Sequence, residues 1–382
     1  MGLASPAVQV NVEQADKDDP DSLCSRRGCL HHTWFAVPVK AMLPILIVLL
    51  TTLTALAVCF PLQAAGIIQE RAPSGPRISS NFPDPGLIKV NNVWYAFATR
   101  TKGTTIHFQI AKSNDFTNWQ IVNNADGSQK DALPTLPAWV NQTNWNTWAP
   151  SIAQLGPNRF VMYFSATTNA DTSARFHCIG YATATNIEGP YTGPANSLVC
   201  PLGQGGAIDP SAFQDVNGQR YFVYKVDGNA IGNGGLCGNT VAPIKSTPLM
   251  LQRVAADGHT LQGNPIQLID NAGISDDGIV EAPAITRTSS GKYVLFFSKG
   301  CFLDNTYTVS YATANAVTGP WTRQPRPLFQ SGDFGLTGPG SADVAADAQH
   351  MVFHSFNGDP ARFVRSMHTA LLNINGDTVT TQ

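Results

Sequence analysis

Beyond position 80, apolar residues fall in short β-branched and aromatic runs, separated by clusters of Gly, Asn, Asp and Pro. That alternation of runs and breakers predicts strands and turns. No long amphipathic helix is visible. The strongest runs are Val93-Trp94-Tyr95-Ala96-Phe97, Phe160-Val161-Met162-Tyr163-Phe164-Ser165, Tyr221-Phe222-Val223-Tyr224, Tyr293-Val294-Leu295-Phe296-Phe297-Ser298 and His350-Met351-Val352-Phe353-His354-Ser355. A similar opening precedes each: Phe82-Pro83-Asp84-Pro85, Ala149-Pro150-Ser151, Asp209-Pro210-Ser211, Glu281-Ala282-Pro283 and the degenerate Gly340-Ser341-Ala342-Asp343. A third run ends in small residues, as in Tyr181-Ala182-Thr183-Ala184 and Tyr311-Ala312-Thr313-Ala314. The unit repeats at roughly sixty residues, and a repeat of that length is the mark of stacked or radial architectures. Five units of about four strands predict an all-β, five-bladed β-propeller over residues 81–382. A β-sandwich explains short strands equally well, but not five similar units. Phe363–Met367 and Leu371–Ile374 are available for the last strands of blade five.

A different pattern precedes the repeats. Residues 1–40 are polar and irregular, with Asp16, Asp18, Asp19 and Asp21, and read as a disordered tail. Residues 41–60 carry no charge and are long enough to span a bilayer. The stretch 41–65 therefore reads as a signal peptide or as a single transmembrane anchor; a buried core helix is the bland alternative. Ala64 and Ala65 are small enough for cleavage, and Arg26, Arg27 and Lys40 favour a cytoplasmic N-terminus. Either way the remainder is expected outside the cytosol, extracellular or in the secretory pathway, with the propeller outside if an anchor is kept. Residues 66–80, rich in Gly, Pro, Ser and Arg, read as a linker.

Composition narrows the partner. Charged residues make up 13% and the net charge is −2. Without a basic excess, nucleic acid is not the expected partner. A surface polar through Asn, Thr, Ser, Gln and Gly suits a neutral, hydrogen-bonding ligand. Of seven cysteines, Cys24, Cys29 and Cys59 precede or lie in the apolar segment, while Cys178, Cys200, Cys237 and Cys301 follow it. Four exported cysteines allow two disulfides in three connectivities.

The chemistry lies in the unit openings. First strands of propeller blades line the central axis, so Asp84, Asp209 and Glu281 would meet at one mouth of the channel. An acid before proline is a common turn starter. Three carboxylates gathered together repel one another and lose hydration, which folding alone does not call for. The motifs Asn81-Phe82-Pro83-Asp84-Pro85, Trp148-Ala149-Pro150, Ile208-Asp209-Pro210 and Val280-Glu281-Ala282-Pro283, in this order and spacing, resemble glycoside hydrolase family 43 over roughly residues 80–375. Its members are five-bladed propellers and inverting glycosidases. The resemblance implies that Asp84 is the general base, Glu281 the general acid, and Asp209 the third carboxylate, which orients the acid and keeps it protonated. It points to α-L-arabinofuranosyl linkages in arabinan or arabinoxylan, hence to a plant cell-wall polysaccharide or oligosaccharide partner. A β-xylosidase is the alternative within the family. A non-catalytic carbohydrate-binding propeller or a membrane-tethered interaction propeller is the alternative outside it.

Many members have a blade-five histidine in a Gly-His context that contacts water or a metal ion. Gly340-Ser341 stands at the matching place. No cofactor is required and no metal ligand is assigned; a channel calcium or sodium ion stays an open alternative. His354, between Phe353 and Phe356, reads as structural. Trp148, then Phe82 and Phe334, are the expected sugar platforms, and Trp139 and Trp145 lie in a loop expected to rim the site. Asn141-Gln142-Thr143 in that loop is a glycosylation sequon. With the blades assigned, Cys237 and Cys301 fall after central strands of blades three and four and pair plausibly, leaving Cys178 with Cys200. The protein is expected to be a monomer.

Overall fold

A computed structural model describes residues 71–100, 103–358 and 363–382. The disordered tail and the signal or anchor expected over 1–65, with Cys24, Cys29 and Cys59, lie outside the described residues. Among those residues, no helix is long and apolar enough to cross a membrane. The strands form five antiparallel sheets, the five expected blades. Blade one is β2 (Gly86–Val90), β3 (Val93–Ala98), β4 (Gln109–Ser113) and β5 (Gln120–Ile121). Blade two is β6 (Trp148–Gly156), β7 (Arg159–Thr167) and β8 (His177–Ala184). Blade three is β9 (Ala207–Gln214), β10 (Arg220–Val226), β11 (Leu249–Val254) and β12 (Leu261–Ile269). Blade four is β13 (Val280–Arg287), β14 (Tyr293–Lys299), β15 (Thr308–Ala314) and β16 (Thr322–Arg323). Blade five joins β17 (Gly340–Val344), β18 (His350–Phe356) and β19 (Arg365–Asn375) to β1 (Ser74–Ile78), with β20 (Thr378–Thr381) on the far half of β19.

The continuous apolar runs now have a cause. The second strand of each blade is sandwiched between two neighbouring blades, so both of its faces are buried and neither can be polar. In β7, Phe160, Met162 and Phe164 pack toward blade one, while Val161 and Tyr163 pack toward blade three. In β14, Val294 and Phe296 face blade five, and Leu295 and Phe297 face blade three. In β18, Met351 and Phe353 face blade four, and Val352 faces blade one. Five apolar clusters thus occupy the five junctions of the ring. Each fully buried Phe, Leu or Val contributes about 1.5–3 kcal/mol.

Residues 66–80, expected as linker, are corrected in part. Ser74 pairs with Thr369 and Ile78 with Met367, so Ser74–Ile78 is an edge strand that closes the ring. Its sequence hides this, because only Ile78 turns inward and a sheet edge tolerates Pro76.

Disulfides link Cys178 to Cys200 and Cys237 to Cys301. The second joins the loops after β10 and β14 and packs beside Phe302 and Tyr307. It closes a sequence separation of 64 residues. Replacing Cys237 and Cys301 together by Ser is expected to lower stability by about 4 kcal/mol, from loop-closure entropy returned to the unfolded chain. Thermal unfolding of the oxidised protein against the double variant measures this; equal melting temperatures would refute it.

Candidate active site at the channel mouth

One backbone irregularity recurs in all five first strands and builds the site. Pairing with the central strand skips two residues in each blade: Ala149-Pro150, Asp209-Pro210, Ala282-Pro283 and Ser341-Ala342 lie in the register shifts. Asp84-Pro85 takes the same place in blade one, between the Thr99 N–H bond to the Pro83 carbonyl and the Gly86–Phe97 pair. Each is a β-bulge, in which two residues oppose one. The first bulge residue is left-handed in every blade, with φ of 52° at Asp84, 44° at Ala149, 56° at Asp209, 49° at Ala282 and 50° at Ser341. Aspartate tolerates this region, whereas alanine holds it at a cost of order 1–3 kcal/mol. Proline follows in four blades because that position is out of the ladder and needs no N–H. The repeated proline is therefore structural, and the acids are what vary from blade to blade.

Bulges re-aim side chains, and here they aim at the axis. Asp84 accepts a hydrogen bond from Thr99 Oγ1 at 2.7 Å through Oδ2. Its Oδ1 lies 3.2 Å from Arg365 Nη1 and 3.5 Å from His354 Nδ1. Arg365 is fully buried, its guanidinium over the rings of Phe302 and Phe363. Glu281 lies one residue before its bulge. Its Oε2 is 2.9 Å from Lys225 Nζ, and its Oε1 accepts the Tyr307 hydroxyl at 2.9 Å. Lys225 also meets Asp227 Oδ1 at 2.9 Å. Asp209 Oδ2 accepts the Ala282 N–H at 3.1 Å, which sets it against the backbone that carries Glu281. Tyr307 is the hub. Its ring stacks on His354 at 5.9 Å, and its phenol is pushed well above its ordinary value of 10.0, first by burial and then by the charges of Glu281, Asp209 and Asp84. Direct contacts link the three acids through this residue: Glu281 accepts its hydroxyl, Asp209 holds the N–H of the residue after Glu281, and His354, stacked on its ring, accepts the Asp84 N–H.

The sequence missed Lys225, Tyr307, Arg365 and Thr99, and took His354 for a packing residue. His354 Nδ1 accepts the Asp84 N–H at 3.1 Å, which leaves the ring proton of the neutral form on Nε2. A signal existed: Thr99, Ser165, Lys225, Ser298 and His354 are the polar residues closing the five central runs, and only Lys225 and His354 are ionisable.

The expected aromatic platforms divide. Phe82 is 0% exposed in the core between blades five and one, so it offers no face to a ligand. Trp139 is also core, stacked on Phe164 and pressed against Gly180. Trp148 packs with Ala149 and Ile208 and is 2% exposed, one face lying on the His177 ring at 3.8 Å. Trp145 packs edge-on to His107 with Arg100 over its ring. Phe334, 45% exposed, lies on the turn leading into blade five. Asn141 uses its side-chain oxygen to cap the turn to Asn144.

At the place of the Gly-His histidine, the Ser341 N–H bonds to Ser298 Oγ at 2.8 Å. No group of three or more His, Cys, Asp or Glu among the described residues could hold a metal ion.

The sequence model of the family described as Glycosyl hydrolases family 43 matches residues 74–377. The extracellular endo-alpha-(1->5)-L-arabinanase of Thermotoga petrophila is 30% identical over 164 residues, covering 37% of this chain and 33% of that enzyme. The chain thus spans about a third of that relative's length. The extracellular endo-alpha-(1->5)-L-arabinanase 1 of Bacillus subtilis is 24% identical over 309 residues, 75% of this chain and 84% of the enzyme. Among solved structures, a thermostable family-43 glycoside hydrolase superposes with a TM-score of 0.63 at 22% identity, covering 79% of this chain and 93% of its own. An endo-1,4-beta-xylanase of Bacteroides thetaiotaomicron gives 0.60 at 22% identity, covering 80% and 96%. At such identities the two structures speak for the fold alone.

Proposed function

The chain belongs to glycosyl hydrolases family 43, and from that premise we propose that it is a secreted glycosidase cleaving α-L-arabinofuranosyl linkages of arabinan or arabinoxylan with inversion. The observation that carries this reading is the linking of Asp84, Asp209 and Glu281 through Tyr307 and His354. Cleavage of a glycosidic bond needs one carboxylate to take a proton and one carboxyl to give one. Asp84, held by Arg365 and Thr99, is arranged as an anion and suits the base. It would draw a proton from a water that attacks the anomeric carbon. The bond to the leaving oxygen breaks as Glu281 passes its proton to that oxygen. Inverting pairs stand about 6.5–9.5 Å apart to admit the water. Asp209, fixed on the Ala282 N–H, holds the backbone beneath Glu281 and opposes its loss of a proton by like charge. Of the expected platforms, Phe334 alone offers an exposed face for stacking a sugar ring; Trp148 is buried against His177.

Linkage rests on the relatives, whose names point to arabinan, and export on those names together with two disulfides. The experiment is product analysis with linear arabinan, arabinoxylan and xylo-oligosaccharides, with Glu281→Gln as control. Arabinose or arabino-oligosaccharides from the wild type alone support the reading, and product length separates exo from endo action. Xylose alone moves the assignment to a β-xylosidase. No product from folded protein leaves a carbohydrate-binding propeller.

A further inference from the structure

Four of the five blades lock onto the next by the same bond. Thr99 Oγ1 accepts the Ala149 N–H at 3.0 Å, Ser165 Oγ the Asp209 N–H at 2.9 Å, Ser298 Oγ the Ser341 N–H at 2.8 Å, and His354 Nδ1 the Asp84 N–H at 3.1 Å. In each case the residue closing one central strand takes the bulge N–H of the following blade. Blade three breaks the rule. Its residue at this place is Lys225, and an ammonium group donates but cannot accept. The N–H it leaves, that of Ala282, goes to Asp209 instead. Lys225 reaches past the bulge to Glu281 and shares its charge with Asp227, each at 2.9 Å. The side chains of Lys225, Asp227 and Glu281 are 0%, 0% and 4% exposed. A serine would serve the lock without burying a cation, and buried ammonium groups are costly unless paired. The one exception in the ring thus falls where the acid stands.

We propose that Lys225, balanced by Asp227, is a positioning residue that sets the orientation and ionisation of Glu281 and so the upper pH limit of activity. The inference rests on Glu281 being the general acid. A cation beside a carboxylate favours its charged form, and an acid that is already ionised cannot protonate a leaving group. Asp227 draws that cation the other way. The other groups facing this carboxyl act in both senses. The Tyr307 hydroxyl bonds it from the loop before β15, Asp209 on β9 sits on the N–H of the residue that follows it, and Asp84 ahead of β2, with Arg365 on β19 and His354 on β18, stands across the Tyr307 ring.

Two variants are therefore expected to move in opposite directions. In the full chain acting on an arabino-oligosaccharide, Lys225→Met should move the basic limb of the kcat/KM profile up by about one pH unit, and Asp227→Asn should move it down by a similar amount. Lys225→Arg, which keeps the charge, should restore the wild-type limb. A merely structural role lowers the rate without moving the limb. Shifts of one sign in both variants, or an unmoved limb, would overturn the proposal. If Lys225→Met does not fold, the downward shift of Asp227→Asn decides alone. A parallel assay with 2,4-dinitrophenyl α-L-arabinofuranoside, whose leaving group needs no proton, isolates the premise. Glu281→Gln should keep most of its rate there and lose it on the oligosaccharide. Equal loss on both substrates would mean that Glu281 is not the acid, whatever the limbs do.

Discussion

Asp84→Asn is expected to reduce turnover of the polysaccharide by roughly a thousandfold, the scale set by removing a positioned general base. The substitution keeps the side chain's size. Its oxygen can still accept from Thr99 Oγ1, now 2.7 Å from Oδ2, so the bulge and its φ of 52° need not change. What disappears is the negative charge proposed to take the water's proton, together with the counter-charge 3.2 Å from buried Arg365. Some loss of melting temperature should accompany the variant, because a buried cation that loses an opposite charge is less well compensated. The check is kcat at the wild-type pH optimum in protein whose circular dichroism matches the parent. Near-parental turnover in folded Asp84→Asn would remove Asp84 from the base role and leave the convergence of acids without an assigned chemistry.

Gly340→Ala is expected to cost about a hundredfold in kcat, although residue 340 carries no functional group. A Cβ built on Gly340 would fall 2.0 Å from Cε1 and 2.1 Å from Cδ1 of Tyr307, distances no packing can absorb. The ring has to leave its place, and its hydroxyl is what holds Glu281 Oε1 at 2.9 Å. Displacement of a catalytic carboxyl by an ångström is enough for a loss of about that size. Overpacking should add about 1–3 kcal/mol of destabilisation. Tyr307→Phe removes the hydroxyl but leaves the ring, so it should lose less activity and little stability. Full activity in Gly340→Ala would show that the ring's position does not govern the acid.

The chain exposes its architecture in the linear order of residues because both signals are local. Central runs such as Tyr293–Ser298 are apolar throughout since blades cover them on both sides, and the openings recur since every first strand makes the same bulge. The three acids are legible for the same reason: they sit on those openings. What surrounds them is not. Lys225 meets Glu281 across 56 positions, and Arg365 meets Asp84 across 281. Each is one ordinary polar residue at the end or start of a strand, with its meaning supplied by a neighbouring blade. Phe82 misleads in the opposite way. It stands two residues from Asp84, but its N–H is tied to the Arg365 carbonyl and its ring packs into the junction between blades five and one. Ser74–Ile78 is hidden because an edge strand needs only one inward residue.

The ring closes between the two extremes of the folded chain. Arg77 bonds Thr369 across 292 positions, and Ser366 reaches the Ser79 carbonyl across 287. During synthesis the first strand leaves the ribosome without a partner, and blades one to four can dock in sequence while it waits. Only when β19 is out can the fifth blade seal, and Arg365, which steadies Asp84, arrives in that same strand. A chain stopped short of residue 365 would retain all three acids, yet β1 and β18 would lack the strand that joins them and Asp84 would lack Arg365. Sealing the ring and setting Arg365 beside Asp84 thus depend on one and the same strand.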